Sequence, residues 1–307
     1  MQERRVQFFS DGYQLDGMLY LPDSYRPGEK RPAIIPCSGY QGVQAFYPRL
    51  FAAQLTAAGY VCLGFDYRGF AHSDGPRGRV ILDEQVVDIR HAITWLGLQP
   101  EVDSQRLGLI GWGMGAANVV RVTAQDERVR AVAALNGFFD GTRWLRTIHS
   151  SVTWQAMVQA IAEDRIRRVT TGRSQLVEPF LHYPLDPDTA EHVQKELATL
   201  PGFGEQVTLE FSESLTQLNA EKDVAAIAPR PLFIAHGTQN RLHPVAESLS
   251  LYAAAKEPKE LYLLAGKHND FMYHDHAVFI TLMAQLTTFF ARYLAPETVG
   301  FCRKFGV

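Results

Sequence analysis

The sequence predicts an α/β protein, a mostly parallel sheet with helices on both faces and one inserted helical cap. Three observations predict it. Short apolar runs alternate with amphipathic helical stretches, the pattern of parallel strands joined by crossover helices. Most of these runs are continuously apolar, as strands buried on both faces require. The rhythm stops at about residue 138 and resumes near residue 224.

The elements follow in order. Residues 5–9 and 15–20 partly alternate and flank Asp11-Gly12, a tight-turn dipeptide, which predicts a β-hairpin. Strand-like runs follow at 33–36, 60–65, 106–111, 129–135, 231–235 and 260–264. Helical patterns cover 47–58, 82–98, 115–125, 244–255 and 276–293. From 138 to 223 the chain is polar, with scattered aromatics and helix-like pieces. A structureless loop of that length is rare in a compact domain. The expected organisation is a core of 1–137 and 224–307 with a helical cap at 138–223.

Composition sets bounds. The 307 residues carry a net charge of −3, with 46% hydrophobic and 21% charged residues, ordinary for a globular chain without metal or disulfide dependence. The one basic cluster, Arg165, Arg167, Arg168 and Arg173, reads as a solvated helix face, so no nucleic-acid partner is expected. Three cysteines, Cys37, Cys62 and Cys302, make no disulfide framework, and Cys37 and Cys62 lie in apolar strand runs. No secretory leader follows Met1-Gln2-Glu3-Arg4-Arg5, and no run is long enough to span a bilayer. The expectation is a cytoplasmic protein with no membrane partner.

The segment expected to carry chemistry is Leu107-Gly108-Leu109-Ile110-Gly111-Trp112-Gly113-Met114-Gly115. A buried strand runs through a glycine-rich turn into a helix. In a nucleophile elbow, G-x-S-x-G, small residues flank a strained turn that lifts a serine above the sheet. Gly111 and Gly115 fill the flanking positions, and Gly113 fills that of the serine. A dinucleotide loop is formally matched by Gly111, Gly113 and Ala116. It lies at the fourth apolar strand run, and no acidic residue follows the next strand, which ends at Asn136.

Four ordered segments carry a resemblance. Pro36-Cys37-Ser38-Gly39-Tyr40-Gln41-Gly42 matches an oxyanion-loop position, and Asp66-Tyr67-Arg68-Gly69-Phe70-Ala71-His72-Ser73 is similar to D-x-R-G-x-G-x-S. His236-Gly237-Thr238-Gln239-Asn240-Arg241-Leu242-His243-Pro244 is similar to H-G-x-x-D-x-x-V-P. Gly266-Lys267-His268 lies where G-x-x-H supplies a histidine. The chain resembles the α/β-hydrolase superfamily, its dienelactone-hydrolase-like and X-Pro-dipeptidyl-peptidase-like branch, over nearly everything but the cap. The resemblance implies an eight-stranded sheet and a triad order of Ser, Asp, His, which falls here on Gly113, Asn240 and His268.

Glycine has no nucleophilic atom, and asparagine cannot stabilise an imidazolium by charge. Asn240 is expected to accept a hydrogen bond from the imidazole through its carbonyl. Asp140 is a candidate replacement acid, whereas Asp270 reads as a loop carboxylate. Ser38 is a candidate surrogate nucleophile. Cys37 reads as a strand residue. His268, His274 and His276 with Asp270 and Asp275 pose a metal site, but His274 and His276 fall on different helix faces, so no metal is expected. No organic cofactor is implied. His236 and His243 read as structural.

The expected site is therefore a near-neutral His268 at the mouth of a pocket, acting as general base. An oxyanion hole from the N–H of Met114 and of Tyr40 or Gln41 completes it. The expected function is serine-free chemistry on a small carbonyl or ester substrate: lyase, cyclase, isomerase or water-mediated hydrolysis. Two alternatives stay open. One is a non-catalytic pseudo-hydrolase that binds a ligand or partner. The other is a serine hydrolase or acyltransferase inactivated at Gly113, naturally or by introduced change. The expected partner is a small molecule, with a homodimer open. Trp144, Trp154, Phe180 and Tyr183 either line the pocket or pack within the cap.

Overall fold

The computed structural model describes residues 1–295. Cys302 lies outside them. The chain opens with a hairpin, β1 (Gln2–Ser10) and β2 (Tyr13–Leu21), paired antiparallel with Ser10 facing Tyr13. Its two-residue turn has φ of 47° at Asp11 and 85° at Gly12. Positive φ at both positions matches the twist of the flanking strands, and aspartate followed by glycine supplies it at low cost.

The parallel core follows: β3 (Arg31–Cys37), α1 (Tyr47–Ala57), β4 (Val61–Phe65), α2 (Leu82–Gly97), β5 (Val102–Trp112), α3 (Met114–Gln125) and β6 (Val129–Leu135). Next come α4 (Gly141–Ile148), α5 (Ser151–Thr171), β7 (Leu176–Val177), α6 (Pro187–His192), β8 (Val207–Thr208), α7 (Glu210–Gln217) and α8 (Glu221–Val224). The core resumes with β9 (Leu232–Gly237), α9 (Val245–Ala254), β10 (Lys259–Leu264) and α10 (Ala277–Tyr293). Eight strands form one sheet in the order β1-β2-β4-β3-β5-β6-β9-β10, parallel from β4 to β10. The expected strand and helix positions hold, with ends moved by a few residues. The sequence did not foresee the small β7–β8 ladder.

Side-chain alternation along the strands feeds two cores. Ala33, Ile35, Val132 and Ala134 pack with α2, α3 and α9, including Ile89, Val119 and Leu251. Ile34, Ala131, Ala133 and Leu135 pack with α1 and α10, including Phe51, Leu282 and Phe290. Helices therefore cover both faces.

The Asp66–Ser73 segment is a brace. Arg68 makes a two-point pair with Asp88, Nε at 2.9 Å and an amino group at 2.7 Å, and Asp88 also accepts from Ser10 Oγ at 2.6 Å. This ties the loop after β4 to α2 and the hairpin. The α4 region is anchored by Arg143, which donates to Glu247 at 2.7 and 2.6 Å and to Glu221 at 2.6 Å. On α5, Arg165 pairs with Glu213 at 2.7 Å and Arg168 with Asp164 at 3.0 Å and with Glu213. Much of that basic cluster is thus neutralised. Among the described residues no helix is long and apolar enough to cross a membrane.

Candidate active site

The site begins where β5 turns into α3. Gly113 has φ 60° and ψ −125° and precedes the first residue of the helix, Met114. A Cβ at Gly111 would sit 2.2 Å from the Gly115 carbonyl oxygen, and one at Gly115 would sit 2.3 Å from that of Ser38. Both flanking positions therefore have to be glycine. Gly113 differs: the nearest atom to a Cβ there is His243 Cε1, at 3.7 Å, an ordinary contact. The turn keeps the shape and space for a side chain and carries none.

His268 follows β10 and is 4% exposed. The buried Asn136, at the end of β6, donates from Nδ2 to the His268 carbonyl at 3.1 Å, and its Oδ1 accepts the Gly237 N–H at 2.8 Å. One amide thus ties the ends of three strands together. The His268 ring lies 4.4 Å from Trp112 and 4.7 Å from His243, centroid to centroid. Burial holds its pKa well below the usual value, helped by the nearby His243, so the ring is neutral. This corrects the expected position at the pocket mouth: His268 is enclosed.

The Asn240 contact runs opposite to expectation. Asn240 Oδ1 accepts the backbone N–H of His243 at 3.0 Å, which fixes the orientation of the amide. Its Nδ2 therefore faces His268 Nδ1, at 3.0 Å. An amide nitrogen only donates, so Nδ1 must accept, and the proton of the neutral ring sits on Nε2. Among the described residues no oxygen accepts a hydrogen bond from Nδ1. His268 lines the cavity, and with Nδ1 engaged and the proton on Nε2 neither ring nitrogen keeps the lone pair a general base needs.

Two other histidines support this floor. His243 donates from Nδ1 to the Asn136 carbonyl at 2.7 Å and accepts at Nε2 from the Tyr183 hydroxyl at 2.7 Å. Burial lowers its pKa to about 3. His236 donates from Nε2 to the His243 carbonyl at 2.8 Å and accepts from Ser248 Oγ at 2.7 Å; burial lowers it to about 4. His236 is structural, as expected. His243 also borders the cavity beside Gly113, which the sequence did not indicate.

The cavity above Gly113 is about 90 Å³, partly open to solvent. Tyr40, Gln41, Met114, Gly113 and His268 all line it. Met114 begins α3, so its N–H has no intrahelical partner. The turn after β3 approaches closely, since a Cβ on Gly39 would stand 3.6 Å from the Met114 nitrogen. The structure therefore brings together the expected elbow, histidine and donor loop.

Other candidates fall away. Asp140 caps α4, accepting from the Arg143 N–H at 2.9 Å and from Asn219 Nδ2 at 3.0 Å; both oxygens are engaged away from His268. Asp140 is therefore a helix cap and not a replacement acid. Ser38 Oγ donates to the Val43 carbonyl at 2.9 Å and braces its own loop. Cys37 is a buried strand residue whose thiol burial pushes far up, and Asp270 accepts the Lys267 N–H at 2.7 Å. His276 caps α10 at the Val278 N–H, 3.2 Å, apart from His268. Among the described residues no three metal-ligating side chains converge. Of the four aromatics, Phe180 and Tyr183 line the cavity. Trp144 is fully buried on Phe138, and Trp154 packs under Arg146.

The sequence also missed Tyr47, Trp112, His192 and Asn269, which line the same cavity. They come from α1, β5, α6 and the loop after β10, and no local spacing joins them.

Comparison with known proteins places the chain. The family model described as X-Pro dipeptidyl-peptidase (S15 family) matches residues 11–270. An uncharacterised 31.7 kDa protein of the traX-finO intergenic region of Escherichia coli is 30% identical over 268 residues, 86% of this chain and 92% of that one. The crystal structure of the hypothetical protein PA2218 from Pseudomonas aeruginosa superposes with TM-score 0.80 at 25% identity, over 95% of this chain and 94% of that one. The α/β hydrolase GrgF from Penicillium, named a polyketide transferase, superposes with TM-score 0.79 at 24% identity, over 96% and 100%. At that identity it shows the fold alone, and the fold is that of an α/β hydrolase. The chain belongs to the X-Pro dipeptidyl-peptidase (S15) family.

Proposed function

We propose that this S15-family member polarises the carbonyl of a small ester- or ketone-type substrate without forming an acyl-enzyme. The observation that carries the proposal is the His268 tautomer: Asn240 Nδ2 occupies Nδ1, which leaves the proton on Nε2 of a histidine that lines the same cavity as Gly113. In this reading the N–H groups of Met114 and of Tyr40 or Gln41, whose residues line the same cavity, join it in holding an oxyanion. Donors fixed in advance cost no reorganisation when charge develops, and each contributes roughly 3 kcal/mol in comparable sites.

The expected general-base role of His268 gives way to that of hydrogen-bond donor and acid. The supported reactions are those driven by carbonyl polarisation: enolisation in a lyase, isomerase or cyclase, or attack by a water seated where a serine would stand, the released proton passing to solvent water in the partly open cavity. Serine peptidase chemistry is not supported, because Gly113 offers no nucleophile. The Penicillium relative's name as a polyketide transferase is in keeping with a carbonyl substrate.

The test compares wild type with His268→Ala and His268→Gln across esters, thioesters, lactones and ketones. Turnover should fall on the order of a hundredfold in the alanine variant and recover in part in the glutamine variant, whose amide still donates. Equal turnover in all three would sink the proposal and leave a binding site.

One observation favours a second reading, a serine hydrolase inactivated at position 113. The turn retains φ 60°, both flanking glycines and room for a Cβ. Gly113→Ser, alone and together with Asn240→Asp, separates the two.

A further inference from the structure

The polar side chains around the cavity over Gly113 turn away from it into the protein. Ser38 Oγ donates to the Val43 carbonyl, the Tyr183 hydroxyl to His243, and the Tyr40 hydroxyl to the Pro179 carbonyl at 2.6 Å. Gln41 Oε1 accepts the Gly204 N–H. Thr189 Oγ1 donates to Asp186 at 2.6 Å and accepts from Asn269 Nδ2 at 3.2 Å. His192 Nδ1 pairs with the Tyr273 hydroxyl at 2.8 Å, and both nitrogens of His243 are taken. Gln41 Nε2, Tyr47 OH, Trp112 Nε1, His192 Nε2 and Asn269 Oδ1 have no partner among the described residues, but they are buried in the surrounding protein and do not face the cavity.

His268 Nε2 is the exception. It has no hydrogen-bond partner among the described residues, and it is not one of the buried unpaired atoms. On a residue that lines the cavity and is 4% exposed, the surface it keeps is surface on the cavity. Among the side chains of the lining, this one N–H is therefore the polar group left for a ligand. The rest of the lining that a ligand can touch is mostly apolar, and Phe46, Leu185, Val193, Leu197, Phe203 and Leu242 contribute to it.

Charge and size narrow the ligand further. Among the described residues lining the cavity there is no aspartate, glutamate, lysine or arginine. His192, His243 and His268 are kept neutral by burial. An ionised ligand would be stripped of water with no counter-charge to meet it, and a second hydroxyl would lose its water without a partner. The volume of about 90 Å³ is below the roughly 150 Å³ of an apolar cavity that takes up one benzene ring. The enclosed end therefore fits a short chain better than a ring.

We propose that the cavity selects an uncharged compound with a single carbonyl on a short aliphatic body, of the class of small alkyl ketones and esters. The carbonyl oxygen meets His268, and the alkyl groups fill the apolar remainder. This names the substrate class of the site proposed above and rests on that reading for the seat of the carbonyl.

Saturation-transfer NMR titration of the intact protein tests it with four probes: 2-pentanone, 5-hydroxy-2-pentanone, 4-oxopentanoate and acetophenone. 2-Pentanone should bind tightest. The added hydroxyl should weaken binding roughly tenfold, and the added carboxylate on the order of a hundredfold or more. Acetophenone should bind several-fold more weakly, since its ring overfills the enclosed end. The hydroxyketone or the carboxylate binding as tightly as 2-pentanone, acetophenone binding tighter, or no binding by any of the four would each overturn it. The nitrogen-15 signal of His268 Nε2 should also move when 2-pentanone binds. The expected preference without that movement would keep the substrate class and strike the polarising role proposed above, so the two readings fail separately.

Discussion

Placing a serine at position 113 probes the elbow and the histidine together. A Cβ there meets only His243 Cε1, at 3.7 Å, so Gly113→Ser creates no clash. Its cost is conformational, since φ of 60° disfavours any residue with a Cβ. That strain is about 1–2 kcal/mol, a fall in Tm of roughly 2–8 °C. The new Oγ faces a His268 that presents N–H rather than a lone pair, so it is not activated. Adding Asn240→Asp changes the partner of Nδ1 at 3.0 Å from donor to acceptor, while the carboxylate still accepts the His243 N–H. The proton then moves to Nδ1, and Nε2 becomes a base. In the serine-protease template the difference between these two partners is on the order of 10⁴ in rate. The assay is burst release from p-nitrophenyl acetate, with the acyl-enzyme followed by intact mass. The single variant should show no burst, and the double variant should acylate at the introduced serine. Acylation of Gly113→Ser at the rate of the double variant would refute the tautomer argument.

Two further outcomes follow from the same contacts. Asn136→Ala should cost about 2–5 kcal/mol, because it strands the His268 carbonyl and the Gly237 N–H in the core; a urea midpoint equal to wild type would contradict this brace. Stability should also fall as pH drops from 6.5 toward 4. His236, His243 and His268 are held below their unfolded values, so their stabilisation is complete above about 6.5 and is lost as the unfolded chain takes up protons. Asp66 opposes them: burial raises it to about 6, so its contribution is present below its unfolded value and lost as pH rises through 6. His182 and His192 are held low as well, and Asp88 is raised like Asp66, so five histidines against two carboxylates leave a net uptake on unfolding, each net proton worth about tenfold in the equilibrium per unit of pH. Chemical unfolding across that range checks the slope, and stability that rose on acidification would contradict it.

The fold was legible because its signals are local. Continuous apolar runs marked β4, β6 and β9, Asp11-Gly12 marked the hairpin turn, and the glycines around position 113 marked the elbow. The elbow was readable as a shape because Gly111 and Gly115 leave no room for a Cβ. What stayed hidden depends on distant parts of the chain. The direction of the Asn240 amide is set by the His243 backbone, not by the residue type at 240. Asp140 looked available, yet its oxygens cap α4 and hold Asn219. Tyr47, Trp112, His192 and Asn269 carry no shared spacing, and only the folded cavity joins them. Asn136 could have drawn notice as a polar residue ending an apolar strand, but its role needs β9 and the loop after β10 in place.

The central claim is that His268 carries its proton on Nε2. Nitrogen-15 NMR of the imidazole near pH 7, assigned by its loss in His268→Gln, reads this directly. A protonated Nε2 with a bare Nδ1 is the predicted result, and a proton on Nδ1 would contradict the account.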